Sequence, residues 1–185
     1  GKLKESGLLA RLEFLSVNHT QVTDAGLEHL AGAGRLKELS LAGTGVGGEG
    51  LRHLARLGKL EVLVLDDTKI SDEGVVNLKG LTNLKVLHLK NTQVGDGTIK
   101  HLKDLGNLSQ LWLGGTKVSD AGLAGLEKLT KLQLLDLTLT QVTDAGLVHL
   151  SGLGGLKELS LRQTDVTRQG YVHLQRALGN CRIVW

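Results

Sequence analysis

Residues 132–155, LQLLDLTLTQVTDAGLVHLSGLGG, carry a frame, Leu-x-x-Leu-x-Leu-x-x-Thr-x-Val-Thr-Asp-x-Gly-Leu-x-x-Leu, that recurs along the chain at one spacing. Steps of 24 residues from Thr140 land on Thr20, Thr44, Thr68, Thr92, Thr116 and Thr164 without a slip. Self-similarity at such a period marks a solenoid, in which each unit buries its apolar face against its neighbours. The spacing divides the chain into one domain over 1–185: a partial repeat at 1–11, seven 24-residue repeats over 12–179 and a terminal strand at 180–185.

Each unit opens with an apolar triplet such as Leu36/Leu39/Leu41 or Leu84/Leu87/Leu89, whose last two members share one face of a strand. Every strand is followed by a return segment and another strand of the same direction, so the strands stack in parallel with crossovers between them. The expected class is therefore α/β with one continuous parallel sheet. The threonine three residues beyond each strand leucine is read as a ladder that satisfies backbone groups of its own turn and of its neighbour's, because an unpaired buried polar group costs about 1–3 kcal/mol.

A hydroxyl residue followed by an aspartate, as in Thr23-Asp24, Ser71-Asp72, Ser119-Asp120 and Thr143-Asp144, predicts a helix start, the side-chain oxygen taking an orphan N–H and the carboxylate facing the positive helix end. A glycine column, Gly26, Gly50, Gly74, Gly122, Gly146 and Gly170, is expected to let each helix approach its neighbour; Thr98 breaks it, with Gly97 beside it as compensation. Pairs such as Leu27/Leu30 and Leu51/Leu54 then form one buried stripe. At the far end Ile183 recovers the strand register, Trp185 is expected to close the outer edge, and Cys181 reads as a small buried hydrophobe. At the near end, residues 1–11 align with the second half of a repeat. Leu3, Leu8 and Leu9 are expected to be exposed there, which favours a homodimer through that end.

Composition excludes several classes. With 22 basic and 19 acidic residues spread along 185, a net charge of +3 gives no electrostatic case for nucleic acid. No apolar run approaches the roughly 20 residues of a membrane span, and one cysteine cannot form an internal disulfide. A soluble, cytoplasmic protein is the expectation. Aromatics are only 2%, so leucine and valine must build the core. Proline is absent and no methionine occurs, which keeps open a structural or engineered repeat scaffold, or an excerpt of a larger protein, with no evolved ligand.

The segment 116–126, T-x-V-S-D-x-G-L-x-x-L, and its in-phase copies resemble the leucine-rich repeat family in its 24-residue variety, with threonine at the usual ladder position. The helix-bearing repeats of the ribonuclease-inhibitor-like and F-box-associated groups look similar, and bacterial, planctomycete-like versions most of all. The resemblance implies a right-handed horseshoe with strands on the concave side and helices on the convex side. It also implies a role in protein–protein interaction, without catalytic residues or cofactors.

Strand positions that point away from the core line the concave face, and there the repeats disagree most. One column runs Ser16, Ser40, Val64, His88, Trp112, Asp136, Ser160 and Val184; beside it lie columns containing Val86, Gln110 and Leu134, and Lys90, Thr138 and Arg162. The ligand-binding candidates are Val86, His88, Lys90, Gln110, Trp112, Leu134, Asp136, Thr138 and Arg162, with Trp112 as an exposed anchor for a protein partner. An enzyme built on His88, Asp136 and Ser160 is disfavoured. With strands about 4.8 Å apart, His88 stands roughly 9–10 Å from Asp136 and about 14 Å from Ser160, against the ~3 Å that proton relay needs. A metal ladder through the helical column His29, His53, His101, His149 and His173 is disfavoured because packed helices stand about 8–10 Å apart.

Overall fold

The computed structural model describes residues 8–185. Strands β1 (Phe14–Ser16), β2 (Glu38–Ser40), β3 (Val62–Val64), β4 (Val86–His88), β5 (Gln110–Trp112), β6 (Leu134–Asp136), β7 (Glu158–Ser160) and β8 (Arg182–Val184) pair in sequence order into one open parallel sheet. The register advances by one repeat per strand with no offset, so Leu39, Leu63, Leu87, Leu111, Leu135 and Leu159 form a single row. All six are buried. Their neighbours on either side in each strand face the opposite way, as the pleat requires. Each buried leucine contributes about 1.5–3 kcal/mol relative to exposure. A row of identical residues also keeps the packed volume constant from rung to rung, which is how a core almost without aromatics stays filled.

The return segments are mostly tighter than the α-helices the sequence predicts. Asp24–Leu27, Asp72–Val75 and Asp120–Leu123 are single α turns that continue as 3-10 helix, and Glu49–Leu54 is 3-10 throughout. Apolar pairs at i and i+3 suit this, because they eclipse in a helix of three residues per turn, although Asp96–Leu102 carries such a pair, Ile99 and Leu102, and is α throughout. Where the apolar spacing becomes i, i+4, at Leu174 and Leu178, the segment Arg168–Leu178 is α throughout.

The threonine hydroxyls do half of what the sequence suggests. From Thr20 to Thr164 each donates to the carbonyl three residues back, as Thr92 does to Leu89 at 2.6 Å. None bonds the neighbouring turn among the described residues. That link belongs instead to the aspartates, whose carboxylates do not sit over their own helix starts but reach forward to the next repeat. Asp96 accepts from the amide and hydroxyl of Ser119 at 2.8 and 2.7 Å, Asp120 from those of Thr143, and Asp144 from those of Thr167. The hydroxyl gives its hydrogen to the aspartate behind it, while its oxygen still takes an orphan helix N–H as expected at Ser119, Thr143 and Thr167; Thr23 and Ser71 make no such cap.

This ladder explains the glycine column at Gly50, Gly122, Gly146 and Gly170, whereas Gly74 is set against the Gly48 backbone. A Cβ at Gly122, Gly146 or Gly170 would fall within 2.5 Å of the preceding repeat's aspartate oxygen. It also explains the exception. Gly95 stands where Ser119, Thr143 and Thr167 supply a hydroxyl, and the fully buried Thr98 supplies it from the glycine column: Asp72 Oδ1 accepts from the amides of Gly95 and Thr98 and from the Thr98 hydroxyl, at 2.7, 2.9 and 2.6 Å. Gly97 is needed alongside, since a Cβ there would lie 2.6 Å from Asp72 Oδ2. Burial pushes the Asp72 carboxyl up, but the bonds from Thr98 and from the Gly95 and Thr98 amides outweigh it and hold the group below the usual value.

At the near end Leu9 is buried rather than exposed, Leu8 is 45% exposed, and Leu3 lies outside the described residues. At the far end Trp185 stacks on Tyr171 with centroids 5.4 Å apart and donates its indole N–H to the Val166 carbonyl at 2.8 Å, which fastens β8 to the last helix. Cys181 is buried, and burial first, then the charge of Glu158, pushes its thiol up.

Candidate functional site

The outward rows of β4 to β8 bring the predicted residues together, but in a different state from the one expected. Trp112 is half-buried, not exposed. His88 stacks on its ring with centroids 5.0 Å apart at 23°, and Lys90 Nζ stands 4.5 Å from the ring centroid as a cation–π partner. Lys90 also crosses β5 to reach Asp136 Oδ2 at 2.8 Å, so the strand carrying Trp112 is bridged by an ion pair between its two neighbours.

Asp136 departs furthest from expectation. Its residue is only 5% exposed, and its other oxygen accepts from the amide and hydroxyl of Thr138 at 3.0 and 2.6 Å. Burial pushes its carboxyl up, yet Lys90 and Thr138 more than compensate and hold it below the usual range. Since Thr138 donates to the carboxylate, the 2.8 Å contact with Ser160 runs from the Ser160 hydroxyl to Thr138. His88 faces Asp66 at 3.3 Å, and Asp66 in turn takes the Lys90 amide at 2.7 Å. The imidazole and the Ser160 hydroxyl therefore belong to separate networks on either side of Trp112, and Ser160 donates towards a carboxylate instead of losing its proton to a base. Among the described residues no three His, Cys, Asp or Glu side chains converge in a way that would hold a metal ion.

One polar atom is left over. Trp112 Nε1 is buried with no hydrogen-bond partner, the only such side-chain atom among the described residues. An indole N–H in that state costs about 1–3 kcal/mol against a bonded one. Val86 and Gln110 lie half-buried beside this patch.

From Trp112 to the far edge of the sheet the surface opens into a hollow of about 430 Å³, with Leu134 and Val184 as apolar floor and Ser160, Arg162, Glu158 and Arg182 around it. Arg182 is paired to Glu158 at 3.1 Å, whereas the exposed Arg162 side chain makes no ion pair among the described residues. The sequence reading found Leu134, Thr138 and Arg162 here but missed the contribution of Val184 and the role of Leu139. Leu139 has a left-handed backbone, φ 56°, and is 55% exposed. Its counterparts in that same turn are His19, Gly43, Asp67, Asn91, Gly115 and Gln163. Glycine, asparagine and aspartate hold four of the seven positions, and the leucine is the one apolar side chain among them. Its amide bonds the Arg162 carbonyl at 2.9 Å and it follows Thr138, so it stands beside two residues that line the hollow without lining it itself.

The comparisons agree with this architecture. The profile of the family described as Leucine Rich repeat matches residues 36–55, 59–79 and 128–151. Among curated proteins none matches the chain. Among solved structures, an internalin (inlF) from Listeria monocytogenes is similar with a TM-score of 0.79 and 27% identity over 97% of this chain. The chain spans 48% of that internalin's length. An internalin C2 (inlC2) from the same species is similar with a TM-score of 0.70 and 27% identity, covering 95% of this chain and 81% of its own. With the repeat profile matching three of its segments and both internalins similar over nearly its whole length, the chain has the leucine-rich repeat solenoid fold.

Proposed function

We propose that the chain is a non-enzymatic recognition module that binds a protein partner across its concave sheet. One observation carries the reading: the frame residues repeat from strand to strand, while the outward residues of β4 to β8 change at every step and enclose a hollow with an apolar floor and an unpaired arginine. A surface that the fold does not specify is free to be specified by a ligand, and a site of that make-up suits protein more than small-molecule recognition. Leucine-rich repeat domains generally mediate protein interactions, and the finer likeness to ribonuclease-inhibitor-like and F-box-associated repeats supports the same role. Among the described residues no helix is long and apolar enough to cross a membrane.

A partner whose capture is lost with Leu134→Glu and kept with Val148→Glu, on the opposite convex side, supports the reading. The reverse pattern overturns it. The alternative of a scaffold without a ligand draws on the way His88, Trp112, Lys90 and Asp136 satisfy one another, and it is favoured if neither substitution changes any interaction of the chain.

A further inference from the structure

We infer that the hollow over β6 to β8 takes an extended peptide segment of the partner that carries a carboxylate next to an apolar side chain. This rests on the concave-face reading and narrows it to an occupant. The cations of the central patch are already committed, Lys90 to Asp136 and Arg182 to Glu158, which leaves Arg162 as the charge without a counterpart beside the hollow. A guanidinium is a two-pronged donor suited to a carboxylate. The two acids that line the hollow are already engaged, Asp136 by Lys90 and Thr138 and Glu158 by Arg182.

The apolar half of the occupant is argued from Leu139. A leucine held at positive φ is strained, and the fold does not require it, because glycine, aspartate and asparagine occupy the same turn elsewhere. Its side chain is exposed, next in sequence to Thr138 of the hollow, so the strain is not offset by burial within the chain. Covered by a partner's apolar side chain together with Val184 and Leu134, it would be.

The test is a random peptide display library panned against the intact chain, with enriched peptides measured by fluorescence anisotropy. The inference expects peptides in which Asp or Glu neighbours Leu, Ile, Val or Phe. Arg162→Glu should weaken them at least about tenfold, as reversal of a charge-assisted pair does. Leu139→Asn, which suits a left-handed turn and so keeps the fold, should weaken them severalfold while raising the melting temperature. No enrichment, enrichment of peptides lacking an acid, or indifference to Arg162→Glu overturns the inference. Peptides unaffected by Arg162→Glu but lost with Leu134→Glu would leave the concave reading standing; peptides lost only with Val148→Glu would remove both.

Discussion

Replacing Asp72 by alanine should uncouple the third and fourth repeats more than the equivalent change anywhere nearer the first strand. In the intact chain Asp72 Oδ1 accepts three hydrogens, from Gly95 N, Thr98 N and Thr98 Oγ1, and both Gly95 and Thr98 are buried. Removing the carboxylate leaves the Gly95 amide and the Thr98 hydroxyl without that acceptor where water enters poorly, while the Thr98 amide keeps the Gly95 carbonyl at 3.1 Å. At about 1 kcal/mol per unpaired buried group, the loss is about 2 kcal/mol. Asp24 provides the internal control, because it accepts one amide, Gly47 N at 2.6 Å, at a partly exposed position, and Asp24→Ala should cost about 1 kcal/mol. Urea denaturation followed by circular dichroism measures both. In a chain stabilised by nearest-neighbour interfaces, the larger loss should also broaden the transition as the two halves begin to melt separately. Equal losses for Asp24→Ala and Asp72→Ala would refute the claim that these carboxylates are the bonds between repeats.

Four further outcomes follow from the same geometry. Gly95→Ser should stabilise by about 0.5–1.5 kcal/mol in urea melts, because a Cβ there meets only ordinary contacts, 3.4 Å or more, and the hydroxyl would reach Asp72 as Ser119 reaches Asp96. Asp136→Ala should destabilise by about 2–4 kcal/mol, since it strands the Thr138 hydroxyl and the Lys90 ammonium, and thermal melts against Lys90→Ala in a double-mutant cycle would expose the coupling. The carboxyls of Asp72 and Asp136 are both depressed in the folded chain, so their contribution is complete above the ordinary value of 3.8 and is lost as pH falls through the lower folded values; acid titration of Asp72→Asn should lose part of that dependence. Thr92→Val should cost about 1–2 kcal/mol and Thr20→Val less than about half of that, because Thr92 is buried at its carbonyl and Thr20 is exposed.

What could be read from the sequence was whatever one side chain at one repeat position decides. The leucine triplets gave strand, face and register together, because a period of 24 residues leaves no other way to align them. The aspartate ladder was not legible. Asp96 and Ser119 are 23 residues apart, and nothing in a helix-start motif distinguishes a carboxylate that caps its own turn from one that binds the next. The substitution of Thr98 for a glycine was visible as an irregularity, but its reason lay in Gly95, whose missing hydroxyl it replaces. At the site the columns were found correctly and their exposure was not. A lysine long enough to cross one strand buried Asp136 and covered Trp112, and such a reach depends on rotamers that spacing does not encode.

The central claim is that the concave sheet is the recognition surface, and methyl-resolved nuclear magnetic resonance on leucine- and valine-labelled chain tests it most directly. Titrated with a protein that binds the chain, Val86, Leu134, Leu139 and Val184 should shift or broaden, with the largest changes around the hollow beside Arg162. Val76 and Val148, exposed on the return segments, should keep their positions. Shifts confined to Val76 and Val148, with the strand methyls unmoved, would contradict the account.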